Sequence, residues 1–216
     1  MKFWTLAIVL GIACCAGEAV EARDVALADP LVAPPAKRMY PYGLAEAPIG
    51  YQDFCKREPA DCQPIGSALE RVPLSMEKWR ELVKLNKDIN ESIRPISDMA
   101  QYGEVERWAY PESGMGDCED YVLLKRRELM KRGWPQSALL ITVVRDENQE
   151  GHAILTVRTA SGDYVLDNKH SKVLAWQRTP YVFIKRQSGR DPREWVSLVP
   201  VEPGMPVASA GVDWKD

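Results

Sequence analysis

Cys118 has the setting that nucleophilic catalysis by a thiol requires. It follows Gly114-Met115-Gly116-Asp117 and stands at the predicted start of a helix. A helix N-terminus lowers the pKa of a thiol, because its free N–H groups and its dipole favour the thiolate. The same N–H groups could donate to the oxyanion that forms when a thiolate attacks a carbonyl. Cys118 is therefore the candidate nucleophile.

His152 and Asp167 are the candidates for the base and the group that orients it. A hairpin whose loop covers residues 159–162 sets Ile154 opposite Asp167. His152 lies two residues before Ile154, so it shares a face with Asp167 and is its diagonal neighbour. An aspartate in that place orients an imidazole and stabilises its charged form. The pattern predicts a catalytic triad of Cys118, His152 and Asp167.

Three acids beside the nucleophile oppose the effect of the helix. Asp117, Glu119 and Asp120 stand next to Cys118, and carboxylates this close raise the pKa of a thiol. They are either ordinary acids of a helix N-terminus, which stabilise its dipole, or oxygen ligands of a hard divalent cation. The residues by themselves favour the first interpretation.

The cysteine and the histidines also allow roles outside catalysis. A single cysteine at a helix start is more often part of a core. The sequence holds only two histidines, and the second, His170, stands in a polar turn typical of a surface residue. A zinc site built from cysteine, histidine and aspartate lacks any pair of ligands at the usual close spacing.

The elements that must position these residues follow from the periodicity of apolar residues. A helix is predicted from Met76 to Glu91 with Ser75 as its N-cap, and a second from about Cys118 to Lys131 with Asp117 as its cap. Four strands follow, at residues 138–144, 152–158, 164–167 and 181–185. A helix followed by an antiparallel meander predicts an α+β fold.

Composition limits the class of protein. The chain has 216 residues, 45% of them hydrophobic, with 28 basic and 31 acidic residues and a net charge of −3. This predicts one domain with a sizeable core and argues against a nucleic-acid binder, which would show a basic excess. Residues 1–22 are typical of a secretory signal peptide, with Lys2 before an apolar run and small residues at the cleavage site. A membrane anchor is the alternative, but the run is short for a span, and no membrane span is expected in the mature chain.

Export changes how the five cysteines are interpreted. Cys14 and Cys15 would leave with the signal peptide. Cys55 and Cys62 bracket a loop of charged residues and proline that suits a small disulfide in an oxidising compartment, with two free thiols as the alternative. Cys118 then remains as the odd thiol. Residues 23–49 are predicted to be an extended proline-rich arm, 50–199 the folded domain and 200–216 a flexible tail.

Three motifs together resemble one known family. The segments Gly116–Tyr121, Glu150–Ala153 and Val165–Asn168 are similar to those around the catalytic residues of the bacterial transglutaminase-like cysteine proteinases, whose LapG-type members are periplasmic. The resemblance extends upstream to the cysteine pair and to Asp98, Tyr102-Gly103, Trp108 and Pro111, and runs from about residue 50 to 187. The arm and the tail match no motif of the family.

The resemblance implies both a fold and a site. The fold is papain- and transglutaminase-like, with a helical N-terminal lobe packed on an antiparallel β-sheet lobe, and the site is a triad of Cys118, His152 and Asp167. It also implies calcium dependence, with Asp117, Glu119 and Asp120 as Ca²⁺ ligands, which reverses the preference that the residues alone give.

The same resemblance implies a substrate and a partner. LapG-type enzymes are periplasmic endopeptidases that cut a large surface adhesin near its N-terminus, at a paired-alanine site, and so release biofilm cells. An inner-membrane receptor of LapD type, which senses cyclic di-GMP, sequesters them. Two alternatives remain from the residues: an acyl transferase of the transglutaminase type, and a non-catalytic adaptor that binds calcium.

Overall fold

The computed structural model describes Met1, residues 32–66 and residues 71–200. The predicted signal peptide beyond Met1, with Cys14 and Cys15, lies outside the described residues, as do the start of the predicted arm and residues 201–216 of the predicted tail. The helices are α1 (Ile49–Arg57), α2 (Met76–Ser92), α3 (Asp98–Tyr102) and α4 (Cys118–Lys131). Within the described residues, no helix has the length and apolar character needed to cross a membrane.

Seven strands form one antiparallel sheet in the order β1-β9-β8-β4-β5-β6-β7. Their bounds are β1 (Gly43–Ala45), β4 (Leu139–Arg145), β5 (Gly151–Thr159), β6 (Gly162–Leu166), β7 (Leu174–Ala175), β8 (Val182–Gln187) and β9 (Trp195–Ser197). The remaining two, β2 (Arg94–Pro95) and β3 (Met115–Gly116), pair in parallel beside the sheet. The predicted α+β fold is confirmed.

The predicted meander is wrong at one strand. The chain runs from β4 through β7 as a meander, but β8 returns across the sheet and pairs with the other edge of β4. Six of the seven residues of β4 are buried, as expected of a central strand, which is covered on both faces. Such a strand needs a hydrogen-bonding neighbour on each edge, and β8 supplies the second.

The two long helices begin where the sequence predicts, but their caps differ. At α2, Ser75 Oγ accepts a hydrogen bond from the backbone N–H of Lys78 at 3.2 Å, as an N-cap should. The bounds of α4 are those predicted, yet Asp117 makes no side-chain cap. Its Oδ2 instead accepts from the backbone N–H of Asp98 at 3.2 Å, which ties the start of α4 to α3.

The sheet separates two apolar clusters. The larger contains the buried faces of α2 and α4 together with Ala153, Leu155 and Val157 of β5. The smaller contains Ile154 with residues of β6 and β8. Successive side chains of a strand point to opposite faces, so β5 faces the helices with its odd-numbered residues and the smaller cluster with its even-numbered ones.

The described part of the arm is extended and packs on the domain. The backbone N–H of Asp163 donates to the carbonyl of Lys37 at 2.9 Å, and Tyr164 Oη donates to the carbonyl of Pro34 at 2.8 Å. Further along, β1 pairs with β9. These contacts fix the arm across the hairpin of β5 and β6 and along an edge of the sheet.

A disulfide joins Cys55 in α1 to Cys62 in the following 3₁₀ turn, with their Cα atoms 5.6 Å apart. The predicted pairing is therefore present. Tyr51 and Phe54, on the buried side of α1, contact the core beside it, so the bridge holds this turn against the domain.

Replacement of Gly162 tests how closely the arm approaches the hairpin. Gly162 has φ +127, and a Cβ there would collide with the backbone carbonyl of Ala36. We expect Gly162→Ala to lower the free energy of unfolding by about 2–4 kcal/mol, through strain and overpacking, in urea denaturation. Gly133→Ala is the matched control, because Gly133 has φ +82 but open space around it, and it should cost about 1 kcal/mol. Equal losses would mean that the arm is not held at Ala36.

Candidate active site

A cavity of about 390 Å³ opens where the start of α4 meets the start of β5. Cys118 and His152 both line it, together with Asp98, Asp117 and Glu119. The structure therefore brings the predicted nucleophile, the predicted base and two of the predicted calcium ligands to one place.

Cys118 is the first residue of α4 and is half-buried. Among the described residues it is the one cysteine outside a disulfide. Its Sγ accepts a hydrogen bond from the backbone N–H of Ala153 at 3.4 Å. Since Ala153 directly follows His152, this contact places the thiol beside the strand that carries the histidine.

His152 contacts Asp167 as the hairpin argument predicts. Its Nε2 lies 2.8 Å from Asp167 Oδ1, and the His152 side chain is only 1 % exposed. The hairpin turn is tighter than expected, because Thr159 pairs with Gly162. The register is unchanged, with Leu155 opposite Leu166, so the next position along each strand sets Ile154 opposite Asp167.

Several groups hold Asp167 in its charged form. Its Oδ1 also accepts from the backbone N–H of Lys169 at 3.0 Å, and its Oδ2 accepts from Tyr181 Oη. Burial raises the pKa of Asp167, but the hydrogen bonds from His152 and Tyr181 and the charge of His152 outweigh burial and bring the pKa to about 2. The carboxylate is therefore an anion at any pH near neutral.

Two residues that position the histidine and aspartate were not expected from the sequence. The Tyr181 ring packs edge-on against His152, with centroids 5.7 Å apart, while Asn90 Nδ2 of α2 donates to the Asp167 carbonyl at 2.8 Å. Tyr181 is the first residue of a predicted strand and Asn90 lies in a predicted helix, so neither carries a local signal of its role. His170 is half-buried, and its ring stacks on Tyr181 at 6.2 Å.

The acidic cluster differs by one residue from the predicted ligand set. Carboxylate oxygens of Asp98, Asp117 and Glu119 lie within 4.8 Å of one another. Asp98 enters this group because its backbone donates to Asp117. Asp120 is buried nearby, and its Oδ1 accepts from the backbone N–H of Ala109 at 2.8 Å. Oδ1 of Asp117 and Oδ2 of Asp120 are buried without a hydrogen-bond partner among the described residues.

Burial and repulsion between like charges strongly raise the pKa values of the carboxyl groups in this cluster. Burial, followed by repulsion from Asp98, raises the pKa of Asp117 to about 6, and burial with repulsion from Asp117 raises that of Glu119 well above its usual range. The pKa of Glu106, which lines the same cavity, rises to about 7, mainly through burial. Close buried carboxylates with unpartnered oxygens are the donor set that a hard cation such as Ca²⁺ prefers. The residues present thus fit a calcium ion.

The neighbouring acids also affect the pKa of the Cys118 thiol. Burial, then repulsion from Glu119 and Asp117, raises the pKa of Cys118 well above its usual range. The thiol donates to Glu119 Oε2 at 3.1 Å. The helix N-terminus favours a thiolate, but without a counter-charge the neighbouring acids and burial outweigh it. Of the two opposing effects that the sequence indicates, the acids therefore prevail over the helix end where no cation offsets their charge.

Lys125 is a further charged residue that the sequence did not single out. It lies on α4, is fully buried, and its Nζ has no hydrogen-bond partner among the described residues. Its Nζ lies 5.8 Å from the centroid of the Tyr121 ring. Burial lowers the pKa of Lys125 to about 7, although attraction to Asp167 acts in the opposite direction. The ammonium therefore adds a positive charge beneath the site that depends on pH.

Comparison with known proteins gives one family and a set of solved structures. The family model described as bacterial transglutaminase-like cysteine proteinase matches residues 41–202, well over half of the chain. Calcium-bound LapG of Legionella pneumophila is 22% identical with a TM-score of 0.47, over 60% of this chain and 74% of that chain. EGTA-treated LapG of the same organism is 24% identical with a TM-score of 0.46, over 54% and 66%. No curated protein sequence gives a significant match.

Replacing Lys125 by Met tests its buried charge. The pKa of Lys125 falls from 10.5 to about 7 on folding, so between these values the unfolded chain binds the extra proton. Burying Lys125 therefore costs stability at every pH below about 10.5, and this cost is largest below about pH 7 and decreases as pH rises above that value. We expect Lys125→Met to be more stable than wild type at pH 6.5, and the difference to shrink by about 2 kcal/mol at pH 9.

Urea denaturation at the two pH values measures this difference, in a Cys118→Ser background that prevents thiol reactions. Lys131→Met, a replacement at an exposed position of the same helix, is the control and should show no such change with pH. Parallel pH profiles for wild type and Lys125→Met would contradict a depressed pKa.

Proposed function

This chain belongs to the bacterial transglutaminase-like cysteine proteinase family, and on that premise we propose that it is a calcium-dependent cysteine endopeptidase of the periplasm. Its catalytic triad would be Cys118, His152 and Asp167. The observation that carries the proposal is the buried contact of 2.8 Å between His152 Nε2 and Asp167 Oδ1, with His152 lining the same cavity as the free thiol of Cys118.

The aspartate determines which nitrogen of His152 acts as the base. Because Asp167 is an anion, His152 Nε2 keeps its proton and donates a hydrogen bond to Asp167 Oδ1. This tautomer leaves Nδ1 as the proton acceptor. Tyr181 and the backbone of Lys169 fix the carboxylate, so the orientation of the imidazole is set before substrate binds.

The proposed reaction assigns one role to each of these residues. His152 Nδ1 takes the proton of Cys118, and the thiolate attacks the scissile carbonyl, whose oxygen becomes an oxyanion. Backbone N–H groups at the start of α4 are the donors available to that oxyanion. The imidazolium then gives its proton to the leaving amine. His152 activates a water molecule that hydrolyses the resulting thioester and restores the thiol.

Calcium would be held by Asp98, Asp117 and Glu119. Asp120 keeps one unpartnered buried oxygen and remains a candidate for a fourth ligand. The chemistry a bound cation supplies here is counter-charge, since it offsets the carboxylates that otherwise raise the pKa of Cys118. Asp117 and Glu119 flank the nucleophile directly, so cation binding and thiol reactivity would be linked.

The substrate and partner are proposed from the motifs shared with LapG-type enzymes. The substrate would be a large surface adhesin, cut near its N-terminus at a paired-alanine site, and cleavage would release cells from a biofilm. An inner-membrane receptor of LapD type that senses cyclic di-GMP would bind and sequester the enzyme. Export through the predicted signal peptide is part of the same proposal.

Variants of the triad test the activity. With an adhesin N-terminal fragment that contains an alanine pair, Cys118→Ala and His152→Ala should each abolish cleavage. Asp167→Asn should lower kcat by about 10⁴-fold, because the tautomer is no longer fixed. His170→Ala is the matched control, since it changes the other histidine and should keep most of the activity. Cleavage at the wild-type rate by Cys118→Ala would contradict the proposed nucleophile.

Including a labelled primary amine in the same assay separates hydrolysis from acyl transfer, because water and amine compete for one thioester. We expect two cleaved fragments without label. Incorporation of the amine without cleavage would assign the triad to a transferase instead.

Calcium binding can be tested apart from activity. Isothermal titration with CaCl₂ should show one saturable site in the wild type, and calcium should raise the Tm. Asp98→Asn and Asp117→Asn should each weaken binding by at least about tenfold, since each removes one charged ligand. Asp88→Asn, at an exposed position of α2, is the control. Unchanged calcium affinity in Asp98→Asn would exclude Asp98 as a ligand, and full cleavage in EGTA would remove calcium from the proposed function.

A further inference from the structure

A second cavity, of about 420 Å³, is lined by five arginines. Glu194 is the one acidic residue among the described residues that line it. We call this the arginine cavity, and its arginines are Arg38, Arg71, Arg158, Arg186 and Arg190. It shares no lining residue with the cavity of the candidate active site.

The arginine cavity lies at the far end of β5 from the catalytic histidine. Arg158 is six residues beyond His152 on that strand, which is about 20 Å at the rise of a β-strand. One wall comes from the arm at residues 38–41, a second from β5 beside its hairpin with β6, and a third from the connection of β8 to β9. Three separate parts of the chain thus converge on one cluster of positive charge.

Most of this charge has no carboxylate partner. Arg71 Nη1 forms an ion pair of 2.7 Å with Asp163, whose side chain is buried. Among the described residues, none of the other four arginines of the cavity forms an ion pair. Asp163 also accepts from the backbone N–H of Met39 at 2.7 Å. One buried carboxylate and the nearby Glu194 therefore face five guanidinium groups.

Two of the arginines are fixed by hydrogen bonds to backbone carbonyls but keep an N–H donor without a partner among the described residues. Arg186 is only 6% exposed, and its Nη1 donates to the carbonyl of Gln187 at 2.9 Å. Arg158 Nη1 donates to the carbonyl of Ser137 at 3.1 Å. The Nε atoms of both are buried without a hydrogen-bond partner among the described residues. Burial, with repulsion from Arg158, lowers the pKa of Arg186 to about 10.

Such an arrangement is unfavourable unless something compensates it. Like charges crowded in a partly buried space repel one another, and a buried donor without a partner loses its hydrogen bond to water. A bound anion would remove both costs at once. The guanidinium group is suited to this, because its planar fork donates two parallel hydrogen bonds to a carboxylate or a phosphate.

We propose that the arginine cavity binds a small oxyanion with at least two negative charges, a phosphate or a polycarboxylate. The cavity volume is within the range of small-molecule sites. Met39, Leu44 and Val196 also line it, so a ligand with a short apolar body is accommodated beside its charged groups. Because one wall belongs to the arm and another to the sheet, the ligand would join the arm to the domain.

Titration of the purified protein with inorganic phosphate and with citrate tests the proposal. Calorimetry at fixed ionic strength, with NaCl as the reference salt, should show saturable binding of at least one of the two anions, and the bound anion should raise the Tm. The two arms distinguish the sources, since tighter binding of phosphate indicates a phosphorylated ligand and tighter binding of citrate a polycarboxylate.

A pair of double variants with equal loss of charge gives the control. Arg38→Gln with Arg190→Gln changes two exposed residues of the cavity and should weaken binding at least about tenfold, or about 1.4 kcal/mol. Arg80→Gln with Arg178→Gln changes two exposed arginines outside the cavity and should leave binding unchanged. Absence of saturable binding of either anion, or equal weakening in both double variants, would overturn the proposal.

Discussion

A slip of one residue between β5 and β6 would carry His152 to the opposite face of the sheet from Asp167. The period of a strand is two, so register decides whether these side chains meet at all. The site therefore depends on the pairing that sets Arg158 opposite Asp163 and Thr159 opposite Gly162. The arm fixes that same end of the hairpin through Lys37 and Pro34, and α2 fixes the loop at the other end through Asn90.

The start of α4 sets two electrostatic effects against each other. The helix end stabilises a negative charge by about 1 kcal/mol in ordinary settings, whereas one carboxylate at about 4 Å opposes it by roughly 4 kcal/mol at an effective dielectric constant near 20. Cys118 has two acids as direct neighbours and burial besides, so its pKa rises. The acids that hinder the thiol are also the group suited to a hard cation. At Asp167 the balance is the opposite, because the groups that donate hydrogen bonds to the carboxylate lower its pKa by more than burial raises it.

Local patterns predicted the parts of the site that lie close together in sequence. The bounds of α4, the N-cap of α2, the hairpin register and the pairing of Cys55 with Cys62 all depend on short-range chemistry. The return of β8 to β4, the place of Asp98 beside Asp117 and the contact of Tyr181 with Asp167 join residues far apart in the chain. The residues next to them in the sequence show no pattern that predicts these contacts. Lys125 was missed because a lysine on a helix is nearly always solvated, and only the packing of α4 shows that this one is not.

The pairing of β1 with β9 joins residues 43–45 to residues 195–197, so an edge of the sheet is completed only after nearly the whole described chain is available. Until then, the thiols of Cys55, Cys62 and Cys118 would coexist in an unfolded chain. Cys55 and Cys62 are only seven residues apart. Because the entropic cost of loop closure grows with loop length, these two thiols meet far more often than either meets Cys118. In an oxidising compartment, whose thiol oxidants accept the two electrons, fast closure of this short loop would convert Cys55 and Cys62 to a disulfide early and leave Cys118 reduced.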